Sequence, residues 1–140
     1  MLGMPEAFVP ARTLLGFDVG TVRVGVAVGN TVSGTAQALQ VIDAARAFEA
    51  IERLMAEWQP DAFVVGLPLH EDGSDTQGSA PARKFANRLK GRYGRPVAFV
   101  DERFTSTEAQ SRYGKMAPID HHAAALILQQ YLDDPARPDS

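Results

Sequence analysis

Carboxylates stand at three points of the sequence where a strand ends or a helix begins. Asp18 follows the apolar run LLGF, the pair Asp101 and Glu102 follows the run PVAFV, and Asp120 opens the last helical pattern. A charge at the end of a buried strand needs a partner that offsets its lost hydration, such as a metal ion or a phosphate network. The alternative for Asp18 is a turn-initiating residue that accepts hydrogen bonds from the backbone after it.

The phase of the last helix favours a common site for these carboxylates. Ala124, Ile127 and Tyr131 follow Asp120 at helical spacing, so Asp120 belongs to the apolar, sheet-facing side. A surface capping residue would not need that phase. The three positions can therefore converge if the first and fifth strands lie near each other.

Converging carboxylates predict a divalent-cation site. They repel one another unless a cation lies between them, and oxygen-only ligands suit Mg²⁺ or Mn²⁺. Two such ions about 3.5–4 Å apart are the usual apparatus for the attack of water on a phosphodiester. Since successive strand residues point to opposite faces, Asp101 and Glu102 cannot both face Asp18, and the spacing leaves that choice open.

The composition bounds the class of protein. The chain has 140 residues, 45% of them hydrophobic, and no cysteine, so disulfides and thiolate metal sites are excluded. We expect one domain over residues 1–140, with flexible tails at 1–12 and 134–140. No signal peptide or membrane span is recognisable, which predicts a soluble, cytoplasmic protein without a membrane partner.

Positive charge is concentrated in one segment. The net charge is −3, yet residues 83–95 carry six basic side chains and no acidic one, which leaves −9 on the remainder. The six are Arg83, Lys84, Arg88, Lys90, Arg92 and Arg95. Such asymmetry suits a polyanionic partner, and the alternative is an ordinary solvated helix face.

Hydrophobic periodicity predicts an α/β fold. The predicted strands are 14–18, 23–28, 34–42, 61–67 and 96–101, and the predicted helices are 44–58, one that starts near 81 and ends at 94, 105–113 and 120–133. The first three strands form an antiparallel meander, in which Ala36, Ala38 and Gln40 share one side. The polar stretch 70–78 is predicted to be a mobile loop. Together these elements give a mixed five-stranded sheet flanked by helices.

Four segments, in this order, resemble the motifs of the YqgF/RuvX family. They are 16–27 (GFDVGTVRVGVA), 65–73 (VGLPLHEDG), 101–109 (DERFTSTEA) and 119–128 (IDHHAAALIL). The resemblance extends over residues 14–132. It implies an RNase H-like fold related to the RuvC resolvases, and a metal-dependent nuclease that resolves Holliday junctions or matures the 5′ end of pre-16S rRNA.

The family pattern implies which acidic residues form the site. Carried over by motif, the catalytic and metal-binding set is Asp18, Glu102 and Asp120, which selects Glu102 over Asp101. This chain departs from the pattern at His121 and His122, where small residues are more common. The segment between 109 and 120 is also short, so a substrate-contacting loop there is reduced.

Several other residues are candidates for substrate contact. Arg103 could hold a phosphate, or form a structural ion pair with Glu108 or Asp101. Thr21 could hydrogen-bond substrate, although its turn position also explains it. His121 and His122 could assist proton transfer, with a bystander role at the helix start as the alternative.

The basic segment gains significance beside a phosphodiester site. Arg83, Lys84 and Arg88 would supply salt-sensitive, sequence-independent affinity for nucleic acid.

The leading hypothesis is a hydrolytic nuclease for structured RNA, with the ribosomal RNA precursor as the favoured substrate. The second is a resolvase of four-way DNA junctions, which predicts a symmetric dimer, so monomer and homodimer both stay open. A non-catalytic nucleic-acid-binding module is disfavoured by the full carboxylate set. An ATP-binding domain of the actin-like type is disfavoured because 140 residues supply only one of its two lobes.

Overall fold

Five strands form one mixed sheet in a computed structural model that describes residues 12–102 and 121–134. The sheet has the order β3-β2-β1-β4-β5. The strands are β1 (Thr13–Val19), β2 (Arg23–Asn30), β3 (Thr35–Asp43), β4 (Ala62–Leu67) and β5 (Val97–Asp101). The first three are antiparallel, while β4 runs parallel to β1 and β5 parallel to β4. The predicted meander with two added parallel strands is confirmed.

Helices cover both faces of the sheet. A 3₁₀ turn (Ala44–Arg46) leads into α1 (Ala47–Trp58), which packs with α2 (Ser79–Tyr93) on one face, and α3 (His121–Asp133) packs on the other. The predicted helix at 105–113 lies outside the described residues. None of the helices in the described part of the chain is long and apolar enough to cross a membrane.

Alternation along the central strands builds two cores. One face packs under α1 and α2, with a buried core that includes Leu15, Phe17, Val26, Ile51, Phe63, Val65, Phe85 and Leu89. The other face packs under α3, with a core of Leu14, Ala27, Val64, Val100, Ala124, Ile127 and Leu128. Both faces of β4 are therefore covered, which explains why its sequence is a continuous apolar run.

A β-bulge corrects the predicted face of Gln40. Ala27 pairs with Ala38, but the preceding Val26 pairs with Gln40, so Leu39 is the extra residue. The inserted residue reverses the alternation. Gln40 thus shares a face with Val26, on the α1 and α2 side, and not with Ala38.

The polar stretch between β4 and α2 is a hydrogen-bonded turn. The backbone N–H of His70 donates to the carbonyl of Ser74 at 2.8 Å, and Asp72 accepts from the backbone N–H of Ser74 at 2.9 Å. Leu69 and Asp75 form an isolated antiparallel bridge. These bonds give the segment a defined turn geometry, and its mobility stays a prediction.

The end of α1 supplies a stability prediction. Gln59 lies in the left-handed region (φ 48°), and its N–H donates to the carbonyl of Met55. Glycine adopts this conformation without a Cβ penalty, so Gln59→Gly should stabilise the protein by about 0.5–1 kcal/mol. Gly94 ends α2 with φ 65°, so Gly94→Ala is the matched control and should destabilise by about 1 kcal/mol. Urea midpoints measure both, and a lower midpoint for Gln59→Gly would contradict the prediction.

Candidate active site

Asp18 lies near the carboxyl end of β1, on the sheet face that α3 covers. It is 7% exposed, and it follows Leu14 and Gly16 at alternate positions on that face. A Cβ built on Gly16 would lie 2.8 Å from Cβ of Leu128, which shows how closely α3 approaches the strand there. Asp18 is therefore a buried charge between sheet and helix, at the edge where the parallel strands end.

The direction of α3 brings its first turn to this edge. Gly29, at the opposite end of the β1–β2 pair, approaches Leu132, whereas Gly16 approaches the carbonyl of Ala124. The helix therefore starts at the Asp18 end of the sheet and runs away from it.

Glu102 reaches the same region from β5. A Cβ built on Gly66 of β4 would collide with Oε2 of Glu102 and would lie 2.6 Å from Cδ1 of Ile127. The Glu102 carboxylate thus lies against the Gly66 backbone, on the α3 face and beside β1. Asp101 pairs with Leu67, whose side chain packs in the other core, so Asp101 is on the opposite face. Of the two adjacent carboxylates, Glu102 is the one that shares a face with Asp18.

Burial and neighbouring negative charges perturb the pKa of Glu102. Loss of hydration raises the pKa of Glu102 from 4.5 to about 8, and the negative charges of Asp18 and Asp101 push in the same direction. A partly buried carboxylate beside a second one is unfavourable until a cation compensates the charge. Two adjacent oxygen donors of this kind fit a hard divalent cation such as Mg²⁺ or Mn²⁺.

The third predicted carboxylate, Asp120, lies outside the described residues, as does Arg103. Within residues 12–102 and 121–134, no group of three or more His, Asp or Glu side chains could hold a metal ion. His121 begins α3, and His122 is exposed on the first turn of that helix. The described part of the site is therefore the pair Asp18 and Glu102.

Thr21 is exposed in the turn between β1 and β2, at the same edge as Asp18. The turn is held at both ends, because the N–H of Gly20 donates to the carbonyl of Arg23 and the N–H of Ala44 donates to the carbonyl of Val22, each at 2.9 Å. Thr21 thus lies in a hydrogen-bonded turn at the edge of the sheet where β1 ends.

The predicted basic contacts lie on α2, across the sheet from the acidic pair. Ser79 Oγ donates to the carbonyl of Pro68, which fixes the start of α2 at the carboxyl end of β4. Arg83 and Lys84 are exposed one turn further on, and Arg83 pairs with Asp75 at 2.9 Å. They are near the edge where Asp18 and Glu102 lie, although on the other face.

Three of the other basic residues contact other parts of the fold. Arg88 stacks over the ring of Phe48 at 4.5 Å. Arg92 pairs with Glu52 at 3.5 Å, and Arg95 donates to the carbonyls of Pro60 and Tyr93. The six charges therefore do not form one uniform binding patch.

Sequence reasoning missed Gly66, although a signal was present. A glycine inside the apolar run FVVGL has no side chain to pack, and such a glycine often marks the close approach of another group. Here the approaching group is the Glu102 carboxylate.

Comparisons with known proteins agree with the geometry. A family model described as RuvX, Holliday junction resolvase, matches residues 12–134. A relative from Ralstonia pickettii is 46% identical, with 95% of this chain and 100% of the relative covered. One from Bordetella parapertussis is 48% identical over 92% of this chain and 99% of the relative. Both carry the name "Putative pre-16S rRNA nuclease".

A solved structure gives the fold. Thermus thermophilus RuvC in complex with a Holliday junction substrate superimposes with a TM-score of 0.60 at 15% identity, over 91% of this chain and 98% of RuvC. The expected RNase H-like fold is confirmed. The family match and the identity to these relatives extend over nearly the whole described sequence, and the chain belongs to the RuvX family.

Proposed function

We propose that this chain is a metal-dependent nuclease that hydrolyses phosphodiester bonds of structured nucleic acid, and that its substrate is the 5′ end of precursor 16S rRNA. The observation that carries the proposal is that the carboxylates of Asp18 and Glu102 lie on the same buried face at the edge of the sheet and interact electrostatically. Two carboxylates held together in a poorly hydrated place are useful as a cation site and unfavourable otherwise.

In this proposal Asp18, Glu102 and Asp120 hold Mg²⁺ or Mn²⁺. The start of α3 at the Asp18 edge supports the assignment of Asp120, which directly precedes that helix. The cation, when bound, supplies Lewis-acid stabilisation for the charge that develops on the phosphate, and it activates water for in-line attack.

The protein's own side chains orient the substrate. Thr21 lies in the hydrogen-bonded turn between β1 and β2, and its hydroxyl donates a hydrogen bond to a phosphate oxygen next to the cleaved bond. Arg103, next to Glu102 in sequence, neutralises a phosphate at the same edge. Arg83 and Lys84 contact the backbone farther along the strand, and Arg88 contributes less because its guanidinium stacks on Phe48.

An RNA substrate is favoured by the names of the relatives, and work on a ribosomal precursor would place the protein in the cytoplasm. The second candidate is a four-way DNA junction, which the description of the family supports. Resolution of a junction needs two coordinated cuts, so this alternative requires a symmetric dimer, whereas a monomer suffices for trimming an RNA end.

The test offers the full chain a 5′-extended 16S rRNA precursor and a four-way DNA junction side by side, with Mg²⁺ or with EDTA. We expect Mg²⁺-dependent cleavage of the RNA near the mature 5′ end. Cleavage of the junction alone would reverse the ranking of the two substrates. Absence of cleavage on both would favour the non-catalytic binding module.

Lys84 provides a prediction for substrate affinity. Lys84→Ala should weaken RNA binding and lower the slope of log K against log salt by about one, with kcat unchanged, because Lys84 contacts a phosphate and takes no part in the chemistry. Lys90→Ala is the matched control. Lys90 is exposed on the same helix, about 9 Å farther from the active edge, and its substitution should leave the slope unchanged. Equal slopes in filter-binding titrations of Lys84→Ala and wild type would exclude the contact.

A further inference from the structure

Gly66 occupies an unusual place in the sheet. It lies in β4 between β1 and β5, with Val100 as its partner in β5. Its missing side chain would point to the α3 face. Of the three heavy atoms nearest to a Cβ built there, two belong to the Glu102 carboxyl group, and the third is Cδ1 of Ile127. The space that a side chain would fill is thus filled mainly by the Glu102 carboxylate.

A second glycine on the same face serves a different purpose. The Cβ built on Gly16 of β1 would meet Cβ and Cδ2 of Leu128 and the carbonyl of Ala124, all of them in α3. Gly16 therefore permits close packing of a helix on a strand. Gly66 also approaches α3, but its nearest neighbour is a carboxylate oxygen.

We propose that Gly66 is a positioning residue for Glu102, and that the bare backbone at this point holds the carboxylate down on the sheet beside Asp18. The inference rests on the proposed function in that Glu102 is taken as a cation ligand. A methyl group at position 66 would push the carboxylate away from β4 and from Asp18. The remaining contact, with Ile127, concerns packing alone, and a shorter residue at 127 would relieve it.

The direct test is Gly66→Ala in the full chain. Displacement of one ligand should weaken Mn²⁺ binding about tenfold or more by calorimetry, and it should lower kcat about 10²-fold with little change in the KM for RNA. Gly16→Ala is the matched control. It should lower the urea midpoint through its contact with Leu128, and it should leave Mn²⁺ affinity and kcat within about threefold of wild type.

Two double variants separate positioning from packing. Gly66→Ala/Ile127→Val removes the methyl group that the new Cβ would meet, so it should recover stability without recovering Mn²⁺ affinity or kcat. Gly66→Ala/Glu102→Ala removes the carboxylate instead. In the metal-free protein its urea midpoint should exceed the value expected from adding the two single effects, because the collision with Glu102 is gone.

The outcomes distinguish this inference from the proposed function. Additive midpoints in the cycle with Glu102→Ala, or recovered Mn²⁺ affinity in the variant with Ile127→Val, would overturn the positioning role. The urea cycle uses metal-free protein and needs no substrate. Lack of cleavage or of Mn²⁺ binding by wild type would therefore count against the nuclease proposal, while the cycle still decides whether Gly66 and Glu102 are coupled.

Discussion

Asp18→Asn should lower kcat at least about 10³-fold while the protein stays folded. Asp18 is a buried carboxylate that shares its face with Glu102, and in the proposed cation site its charge helps to hold the metal ion. Asn keeps the size and hydrogen-bonding capacity of the side chain and removes only the charge. Relief of the repulsion with Glu102 should keep the thermal midpoint at or above the wild-type value. Single-turnover cleavage of the RNA precursor, circular dichroism and thermal unfolding measure these effects.

Asp101→Asn is the control for this experiment. Asp101 also carries a carboxylate and is adjacent to Glu102 in sequence, but it pairs with Leu67 and lies on the opposite face of the sheet. Its substitution should leave kcat within about fivefold of wild type. Full activity of Asp18→Asn, or equal losses for Asp101→Asn and Asp18→Asn, would contradict the assignment of the site to the α3 face.

Glu102→Gln should abolish cleavage and stabilise the metal-free protein at alkaline pH. The pKa of Glu102 is about 8 in the folded state, against an ordinary 4.5, so the folded protein holds this proton to a higher pH than the unfolded chain does. The associated stability is complete below pH 4.5 and is lost as the pH rises through 8. Gln cannot ionise, so at pH 9 the variant should exceed wild type by on the order of 2 kcal/mol.

The measurement is urea unfolding in EDTA from pH 5 to pH 9. Glu57→Gln, at an exposed position on α1, controls for the change in net charge and should stay within about 0.5 kcal/mol of wild type at each pH. Mg²⁺ should restore the stability of wild type at pH 9 and have little effect on Glu102→Gln. Parallel pH profiles for wild type and Glu102→Gln would refute the raised pKa.

The gain in stability expected for Glu102→Gln reflects a general trade-off. Burial beside Asp18 raises the pKa of Glu102, so we expect its ionised carboxylate to weaken the metal-free fold at alkaline pH. In the proposed function, a bound cation offsets this loss of stability.

Periodicity was sufficient to predict most of the fold. The predicted strand at 61–67 has no polar residue after Asp61 to mark a solvent face, so it predicted a strand covered on both sides, and β4 is such a strand. The apolar phase of 120–133 predicted a helix that packs through Ala124, Ile127 and Leu128, and these are buried in α3.

What periodicity missed depended on contacts between distant segments. The bulge in β3 puts Gln40 on the other face because β2 sets the pairing, and no local pattern in β3 reveals it. The choice between Asp101 and Glu102 depends on how β5 aligns with β4, which the pleat alone cannot determine. The family resemblance favoured Glu102, and the alignment of β5 places that residue on the face of Asp18.

The basic segment at 83–95 also makes contacts that its local sequence does not reveal. Its charge predicted a polyanion-binding helix, yet Arg92 and Arg95 have partners far away in sequence, at Glu52 and Pro60. Because these partners are distant in sequence, the local pattern could not predict the bonds. Only the first part of α2 lies near the edge where the carboxylates meet.

The most direct test of the site is a crystal structure of the full chain grown with Mn²⁺ and recorded at a wavelength where manganese scatters anomalously. We expect anomalous density in contact with the carboxylates of Asp18 and Glu102, and its disappearance in crystals of Asp18→Asn. Manganese bound elsewhere, with Asp18 and Glu102 making no contact to it, would contradict the cation site on which the proposed chemistry depends.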